Sequence, residues 1–466
     1  MRLFYFSAKP KVIPELDKNF RPASLENKAF LGEVAKSGNG VPLVIALERS
    51  KGAISVYKTK VFAEGTGMDE VNMFYVERLV KTLLWARGGW KLILGGPSSI
   101  GEYIKKAYSS GGLREFDAKF MARVYENPFT VEITNAENVP EAKEDAKPVG
   151  RHLGGCRIGF DAGGSDRKVS AVIEGEAVYS EEVIWHPKVT SDPGYHYNEI
   201  LTAIKTAASH MPKVDAIGVS SAGIYINNRV MVASLFLKVP EDLFEAKVKD
   251  IFLNIQKEMG GVALEVANDG DVTALAGAMD LDDTNVLGLA MGTSEAGGYV
   301  DREGNITGWL NELAFIPVDY NPDAMVDEWS GDFGCGVKYF SQDAVIKLAP
   351  AAGISLDEKL TPAEKLKVVQ ELLEKNDNRA IKIFESIGCY LGYAIAYYAD
   401  FYDIKHLLIL GRVTSGEGGN IILEVAKDVL KKEFPELFEK IKLHLPDETN
   451  RRVGQSIAAA SLPEIN

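Results

Sequence analysis

Carboxylates, hydroxyls and paired glycines recur at the ends of apolar stretches, the positions from which backbone amides and side chains handle phosphate. Asp161-Ala162-Gly163-Gly164-Ser165 closes the apolar run Cys156 to Phe160. A carboxylate there holds Mg²⁺ through water, because that cation keeps much of its hydration and prefers hard oxygens. Two residues without Cβ atoms let the N–H groups of the turn approach phosphate oxygens closely. Ser165 adds a hydroxyl and Lys168 a point charge. A plain hairpin with an Asx turn carries the same residues, so the segment alone does not decide. Gly292-Thr293-Ser294, with Gly297-Gly298 following, and Gly411-Arg412-Val413-Thr414-Ser415-Gly416 repeat the theme after apolar strands. None holds the Gly-Lys-Ser/Thr of a P-loop, and no GxGxxG opens a helix. Asn268-Asp269-Gly270-Asp271 joins an expected strand, Leu264 to Ala267, to an expected helix, Val272 to Met279. A carboxylate at such a junction accepts the proton of a hydroxyl as its oxygen attacks phosphorus. On position alone, capping the helix is the commoner use. The order of the turns reverses that preference.

The elements that position these groups are legible from apolar periodicity. In the first part of the chain, Val41 to Leu47 and Ile54 to Phe62 read as paired strands around Ser50-Lys51-Gly52. Val71 to Ala86 is an expected helix, Trp90 to Leu94 a strand and Ile100 to Tyr108 a helix. Gly95-Gly96-Pro97-Ser98-Ser99 reads as a strand-to-helix turn with Ser as N-cap, rather than an anion cradle. Asn135 to Gly155, polar and broken by Pro140 and Pro148, reads as a linker. Beyond it, strands are expected at Cys156 to Phe160, Lys168 to Ile173, Ala177 to Trp185 and Ala216 to Ser220, with a helix at Asn198 to Ala208. Val286 to Ala290 is a strand, Gly298 to Val300 with Ile306 to Trp309 a hairpin, Arg379 to Tyr402 a long helix and Leu407 to Leu410 a strand. Two halves opening alike suggest an internal duplication. Gly388, Gly392 and Ala396 form a small-residue stripe read as helix packing. His186 and His196 are expected in a surface loop. Trp309 suits either packing or stacking on a substrate.

In this order, the phosphate turn, Ser220-Ser221-Ala222-Gly223, Asn268-Asp269, Gly292-Thr293-Ser294 and Gly411-Arg412 resemble the ROK family (repressors, open reading frames and sugar kinases), of the superfamily of sugar kinases, actin and heat-shock chaperones. The resemblance runs from Arg157 to the end. It implies an α/β fold of two actin-like (ribonuclease H-like) lobes, at 151–283 and 284–452, with a C-terminal helix at 453–466 returning to the first lobe. Residues 1–150 would be an additional N-terminal α/β domain plus linker. It further implies ATP as cofactor, with Asp161 to Ser165 and Lys168 at one phosphate loop, Mg²⁺ on Asp161 through water, and Gly292 to Ser294 at the other. Gly411-Arg412 would lie at adenosine. Asp269 matches the catalytic base, and Asn268, Ser221, Gly223, Ser234 and Glu312 fall at the acceptor.

The departures from the family pattern are specific. Phe315 replaces the histidine of its Gly-Glu-x-Gly-His segment, which binds zinc and a sugar hydroxyl, and only Gly334-Cys335 remains of its cysteine cluster, so no zinc site is expected. Asp166-Arg167 lengthens the first loop. Glu295 stands where glycine is usual, and a carboxylate beside phosphates repels them unless it helps bind metal. Ser234 replaces a sugar-binding asparagine.

Composition sets the remaining expectations. The 466 residues call for two or three domains. A net charge of −14 and the absence of basic blocks disfavour nucleic-acid and anionic-membrane partners. The three cysteines, Cys156, Cys335 and Cys389, are far apart, so no disulfide framework is read. Met1 to Glu15 lacks the apolar stretch of a signal peptide. A cytoplasmic homo-oligomer (a dimer) acting on a small molecule is expected. The sequence-based reading is an ATP-dependent sugar or polyol kinase; its alternatives are a non-catalytic nucleotide or sugar sensor or scaffold, and, more weakly, a winged-helix repressor.

Overall fold

The computed structural model describes residues 8–144, 149–446 and 448–465. The start of the expected N-terminal domain at 1–7 and the Pro148 part of the linker lie outside those residues. The chain forms two compact units, one of Met1–Asp145, Leu289–Gly297 and Trp309–Leu445, the other of Ala146–Gly288, Gly298–Gly308 and Pro446–Asn466.

The N-terminal sheet is built from β1 (Gly40–Glu48), β2 (Ile54–Phe62), β3 (Lys91–Gly95) and β4 (Thr130–Thr134), in the order β2-β1-β3-β4. The apolar run Leu43 to Leu47 is buried in the middle of the sheet, as a central strand covered on both faces requires. The helices Ala23–Ser37, Glu115–Tyr125 and strand β4 carry too weak a pattern to be expected from sequence. The turn before the helix Ser98–Ala107 is capped by Glu64, whose carboxylate accepts from Ser99 N–H at 2.8 Å, and not by a serine side chain.

The described residues 8–144 fall in the same compact unit as residues 309–445. Backbone bridges tie Pro22 to Asp319, and Thr82 Oγ1 meets Tyr397 Oη at 2.6 Å. The reason lies in the helix Asp69–Arg87, which is buried along almost its whole length. A helix buried all round needs neighbours on every side, and part of them comes from residues 309–402.

The other unit centres on β5 (Cys156–Ala162), β6 (Asp166–Ile173), β7 (Glu176–Ile184), β8 (Ala216–Ser221) and, after a two-stranded ribbon of β9 (Ile224–Ile226) and β10 (Arg229–Val232), β11 (Ala263–Asn268). The sheet order is β11-β8-β5-β6-β7, with β5, β8 and β11 parallel. Ile158, Phe160, Trp185, Ile204, Ile217 and Phe252 form its core. The C-terminal helix Glu448–Ala460 lies so close to β5 and β8 that a Cβ at Gly159 or Gly218 would collide with the carbonyls of Ser456 and Ala459. Small residues on both sides permit that approach, as expected for a closing helix.

A further sheet has the order β13-β12-β14-β15, with β12 (Val286–Met291), β13 (Glu295–Val300), β14 (His406–Leu410) and β15 (Lys442–His444). In both sheets the strand leading into the glycine turn, β5 or β12, sits between its hairpin partner and a later strand, which agrees with duplication. The expected hairpin at Ile306 to Trp309 reduces to one bridge, Val300 with Ile306. Asp301 ties off the connecting turn by accepting from the N–H groups of Glu303 and Asn305, leaving no strand beyond it. Gly388 and Gly392, on the helix Asn378–Tyr398, lie against Ile422 and Val429 of the helix Glu417–Glu433, the close packing their spacing implies.

Candidate functional site

In the unit of Ala146–Gly288, the parallel strands β5, β8 and β11 end side by side, with Ala162, Ser221 and Asn268 in register. This is the end of an open α/β sheet at which ligands collect. Asp161 is buried, accepts from Ser220 Oγ at 2.9 Å and has Lys168 Nζ 4.0 Å away. Burial pushes its carboxyl up to about 6 against the pull of Lys168 and Ser220, and the charge of Asp269 adds to the rise. These two carboxylates therefore share one electrostatic environment.

Asp269 is the first residue of the helix Asp269–Asp280, and its neighbour Asn268 is the N-cap. Asn268 Oδ1 accepts from Gly270 N–H at 2.7 Å, and its Nδ2 donates to Gly223 O at 2.7 Å. The capping use considered for Asp269 thus belongs chiefly to Asn268. Asp269 is partly exposed. Desolvation raises its pKa, while the N–H of Gly270 and the charge of Lys188 pull it down. A carboxylate at a helix N-terminus is favoured by the dipole and remains free to receive a proton.

The turn itself is Gly163, Gly164 and Ser165. A Cβ on Gly163 would meet Asp166 O at 2.5 Å. Ser165 Oγ donates to Asp166 Oδ1 at 2.8 Å. Asp166 and Arg167 do not lengthen this loop: they are the first residues of β6, and Arg167 pairs with Ala162. Gly223 has a φ of 140° and would clash with Val232 O if substituted. Ser221 is fully buried under Tyr225, from whose hydroxyl it accepts at 2.7 Å. Ser234 opens a short 3₁₀ turn, partly exposed. His196 is not a surface residue; it is fully buried, with Nδ1 near Asp192 O and Nε2 near Pro187 O and Leu235 O. The helix Pro193–Ala208 starts earlier than its apolar pattern implies and carries it inward.

Among the described residues no three His, Cys, Asp or Glu side chains converge as a metal cage. Mg²⁺ riding on a nucleotide needs none: one or two carboxylates, water and phosphate oxygens complete its octahedron. Asp161, ionisable near neutrality at a strand end beside a glycine turn, fits that use.

The unit containing Leu289–Gly297 and Trp309–Leu445 carries the other turns. Thr293 and Ser294 are exposed, and Gly292 N–H closes the turn on Ser294 O at 3.0 Å. Arg412 donates to Thr293 Oγ1, joining the second and third glycine turns. Gly411, at φ 101°, presses against the backbone of Met291, where a side chain has no room.

Glu295 does not face this turn. It is buried, accepts from Tyr398 Oη at 3.3 Å, and its Oε2 has no hydrogen-bond partner among the described residues. Burial, reinforced by Glu312, pushes its carboxyl up to about 8. At neutral pH it is mostly protonated, so it does not repel phosphate as a surface carboxylate would. Folded chains then hold a proton that unfolded chains release above the ordinary carboxylate range. Stability from this group is present at low pH and lost as pH rises from about 4.5 toward 8, by at most ~1.4 kcal/mol per unit. Glu295→Gln is expected to flatten that slope in urea unfolding between pH 5 and 8; an unchanged slope contradicts the assignment.

The Glu312 segment is seated by residues that sequence reasoning left unassigned. The N–H groups of Asn311 and Glu312 donate to Ala86 O and Trp85 O at 2.9 and 3.1 Å, satisfying carbonyls at the end of the helix Asp69–Arg87. Such terminal carbonyls need external donors. Phe315 stacks on Trp85 at 4.1 Å, in an aromatic cluster with Phe116 and Phe120. Trp309 is held by Glu144 Oε2 at 3.1 Å and lies under the Arg87 guanidinium, so its indole packs rather than projects. Cys335 is buried and raised to about 12 by burial. Beside it, Asp332 pairs with Arg78, Lys81 and Arg114, while Glu77 and Asp117 complete a buried network of three cations and three carboxylates.

A family model described as "ROK family" matches residues 157–455. No curated protein matches the chain by sequence. Among solved structures, a ROK hexokinase from Thermus thermophilus is similar at 17% identity and a TM-score of 0.52, covering 66% of this chain and 97% of its own. A ROK family glucokinase from Streptomyces griseus, in complex with glucose and AMPPNP, aligns at 20% identity and TM-score 0.47 over 66% and 99% of the two chains. A ROK family transcriptional regulator, homolog of the E. coli MLC protein, aligns at 17% identity and TM-score 0.49 over 78% and 89% of the two chains. The mixed α/β fold with actin-like sheets follows from the first of these together with the strand orders. No helix among the described residues is long and apolar enough to cross a membrane.

Proposed function

We propose that this chain, which belongs to the ROK family, transfers the γ-phosphoryl group of ATP to a hydroxyl of a sugar or polyol. The observation that carries the reading is Asp269: a partly exposed carboxylate at a helix N-terminus, electrostatically linked to Asp161 behind the first glycine turn. In the transfer, the acceptor O–H bond breaks and its proton passes to Asp269. The acceptor oxygen bonds to the γ-phosphorus, and the bond to the β-phosphate oxygen breaks with its electron pair leaving on ADP. Glycine-turn amides at 163–165 and 292–294 bind phosphate, with Lys168 near the first. Arg412 and Gly411 serve adenosine. Mg²⁺ held through water by Asp161 would neutralise phosphate charge when bound. Glu312, seated on Trp85, orients the acceptor, while Asn268 and Gly223 fix the segment around the base.

The likeness of the fold to the ROK hexokinase supports this class. Phe315 favours a second reading, a sensor that binds nucleotide without transfer, because the ring occupying the histidine position is stacked inward on Trp85. An ADP-release screen over hexoses, amino sugars, inositols and sugar acids separates the two. Acceptor-dependent ADP above the ATP-only background is expected with at least one class. Nucleotide binding with no acceptor-dependent release anywhere contradicts transfer and leaves the sensor.

A further inference from the structure

The geometry points to a second cation at the first glycine turn: Lys188 binds the transferred phosphoryl group and stabilises its charge during transfer. This rests on the kinase reading above.

The segment after β7 doubles back over the turn at 161–165. Trp185 is buried; its backbone N–H donates to Ser165 O at 3.1 Å and its indole N–H to Gly163 O at 2.7 Å. Two residues on, Pro187 O lies 3.1 Å from the buried ring of His196, and His186 N–H donates to Tyr195 Oη at 2.9 Å. The entry to the short 3₁₀ turn Pro187–Val189 is therefore tied to the first glycine turn through Trp185 and to the helix Pro193–Ala208 through His186 and Pro187.

From that turn Lys188 extends across Gly164. Its Cε and Nζ each stand 2.7 Å from the point a Cβ on Gly164 would occupy. The glycine thus has a second use besides exposing amides: any side chain there would displace the lysine. The ammonium has no carboxylate within ion-pair distance among the described residues, unlike Lys168, which is engaged with Asp166 at 3.2 Å. Its field still reaches Asp269, whose carboxyl it helps pull down from the rise that burial causes.

An ammonium is a compact point charge suited to phosphate oxygens. In phosphoryl transfer the charge spreads over the equatorial oxygens of the moving group, and a fixed cation beside the base and the amides stabilises it there. The lysine is exposed, so it costs little desolvation before nucleotide arrives.

The test compares wild type, Lys188→Gln and Lys188→Arg for binding of Mg²⁺·AMPPNP and Mg²⁺·ADP by calorimetry. Because the side chain is exposed, both variants should fold; far-UV circular dichroism and unfolding midpoints check this. The expected result is a loss of roughly 10-fold or more in AMPPNP affinity for the glutamine variant. ADP affinity stays within about twofold, and arginine restores most of the loss. With any acceptor from the screen, kcat falls while KM for the acceptor holds. An unchanged AMPPNP-to-ADP ratio in Lys188→Gln overturns the assignment while leaving the kinase reading standing. A wild-type chain that binds neither nucleotide overturns the kinase reading, and this inference with it.

Discussion

Asp269→Asn is expected to lower phosphoryl transfer by at least ~10²-fold while leaving ATP affinity nearly unchanged. The substitution keeps size and shape, and the new amide oxygen can still accept from Gly270 N–H as the carboxylate does at 3.0 Å. Asn268, not Asp269, is the N-cap, so the helix Asp269–Asp280 retains its start. What disappears is the proposed proton acceptor. Desolvation has moved Asp269 above the ordinary carboxylate range, toward the basicity a general base needs near neutral pH. The group must be ionised to act, so kcat/KM should fall on the acid side as pH drops through that raised value. The pH dependence of kcat/KM with an acceptor found by the screen, for both proteins, checks this. Equal turnover by the two would show that the proton goes elsewhere.

Asp332→Ala is expected to destabilise the chain by about 3–5 kcal/mol. Asp332 is buried and meets Arg78 Nη1 at 3.0 Å, Lys81 Nζ at 3.0 Å and Arg114 Nη1 at 2.9 Å. Its removal leaves three buried cations facing Glu77 and Asp117 alone. The network is what keeps them charged: burial opposes the charge on Arg78 and Lys81, yet Asp332 with Glu77, and Asp117 with Asp332, hold both pKa values above normal. One uncompensated buried charge costs far more than a surface ion pair contributes. Urea unfolding followed by tryptophan fluorescence measures the change, with Glu439→Ala, on an exposed position, as a control within about ±0.5 kcal/mol. A midpoint for Asp332→Ala matching that control would mean the cluster is solvated. Lys81 lies one helical turn before Trp85, so loss of the network should also loosen the seat of Glu312.

Local chemistry is well legible in the sequence. Glycine pairs after apolar strands, and Asn268-Asp269 before a helix, mark their positions because turns and caps are set by a few neighbouring residues. Strands β5, β6 and β8 are found within about two residues for the same reason. What the sequence hides is long-range. Glu295 reads as a charge beside phosphate, since nothing local reveals that Tyr398 and the core enclose it. His196 reads as a loop residue because the helix containing it begins with Pro193-Gly194, a turn-like pair. Lys188 carries no motif; its meaning comes from Trp185 folding back over Gly163. The N-terminal region has a complete α/β pattern of its own, whereas its burial against residues 309–402 depends on contacts more than two hundred positions apart. The alternate uses of Phe315 and Cys335 likewise become visible only beside Trp85 and Asp332.

The carboxylate at 269 is proposed to serve transfer to a hydroxyl. ³¹P NMR of wild-type protein with ATP, Mg²⁺ and a screened acceptor tests it most directly. A growing phosphomonoester signal on the acceptor is expected, matched by ADP and abolished in Asp269→Asn. Inorganic phosphate as the sole new resonance, or a phosphomonoester formed equally well by the Asn variant, would contradict it.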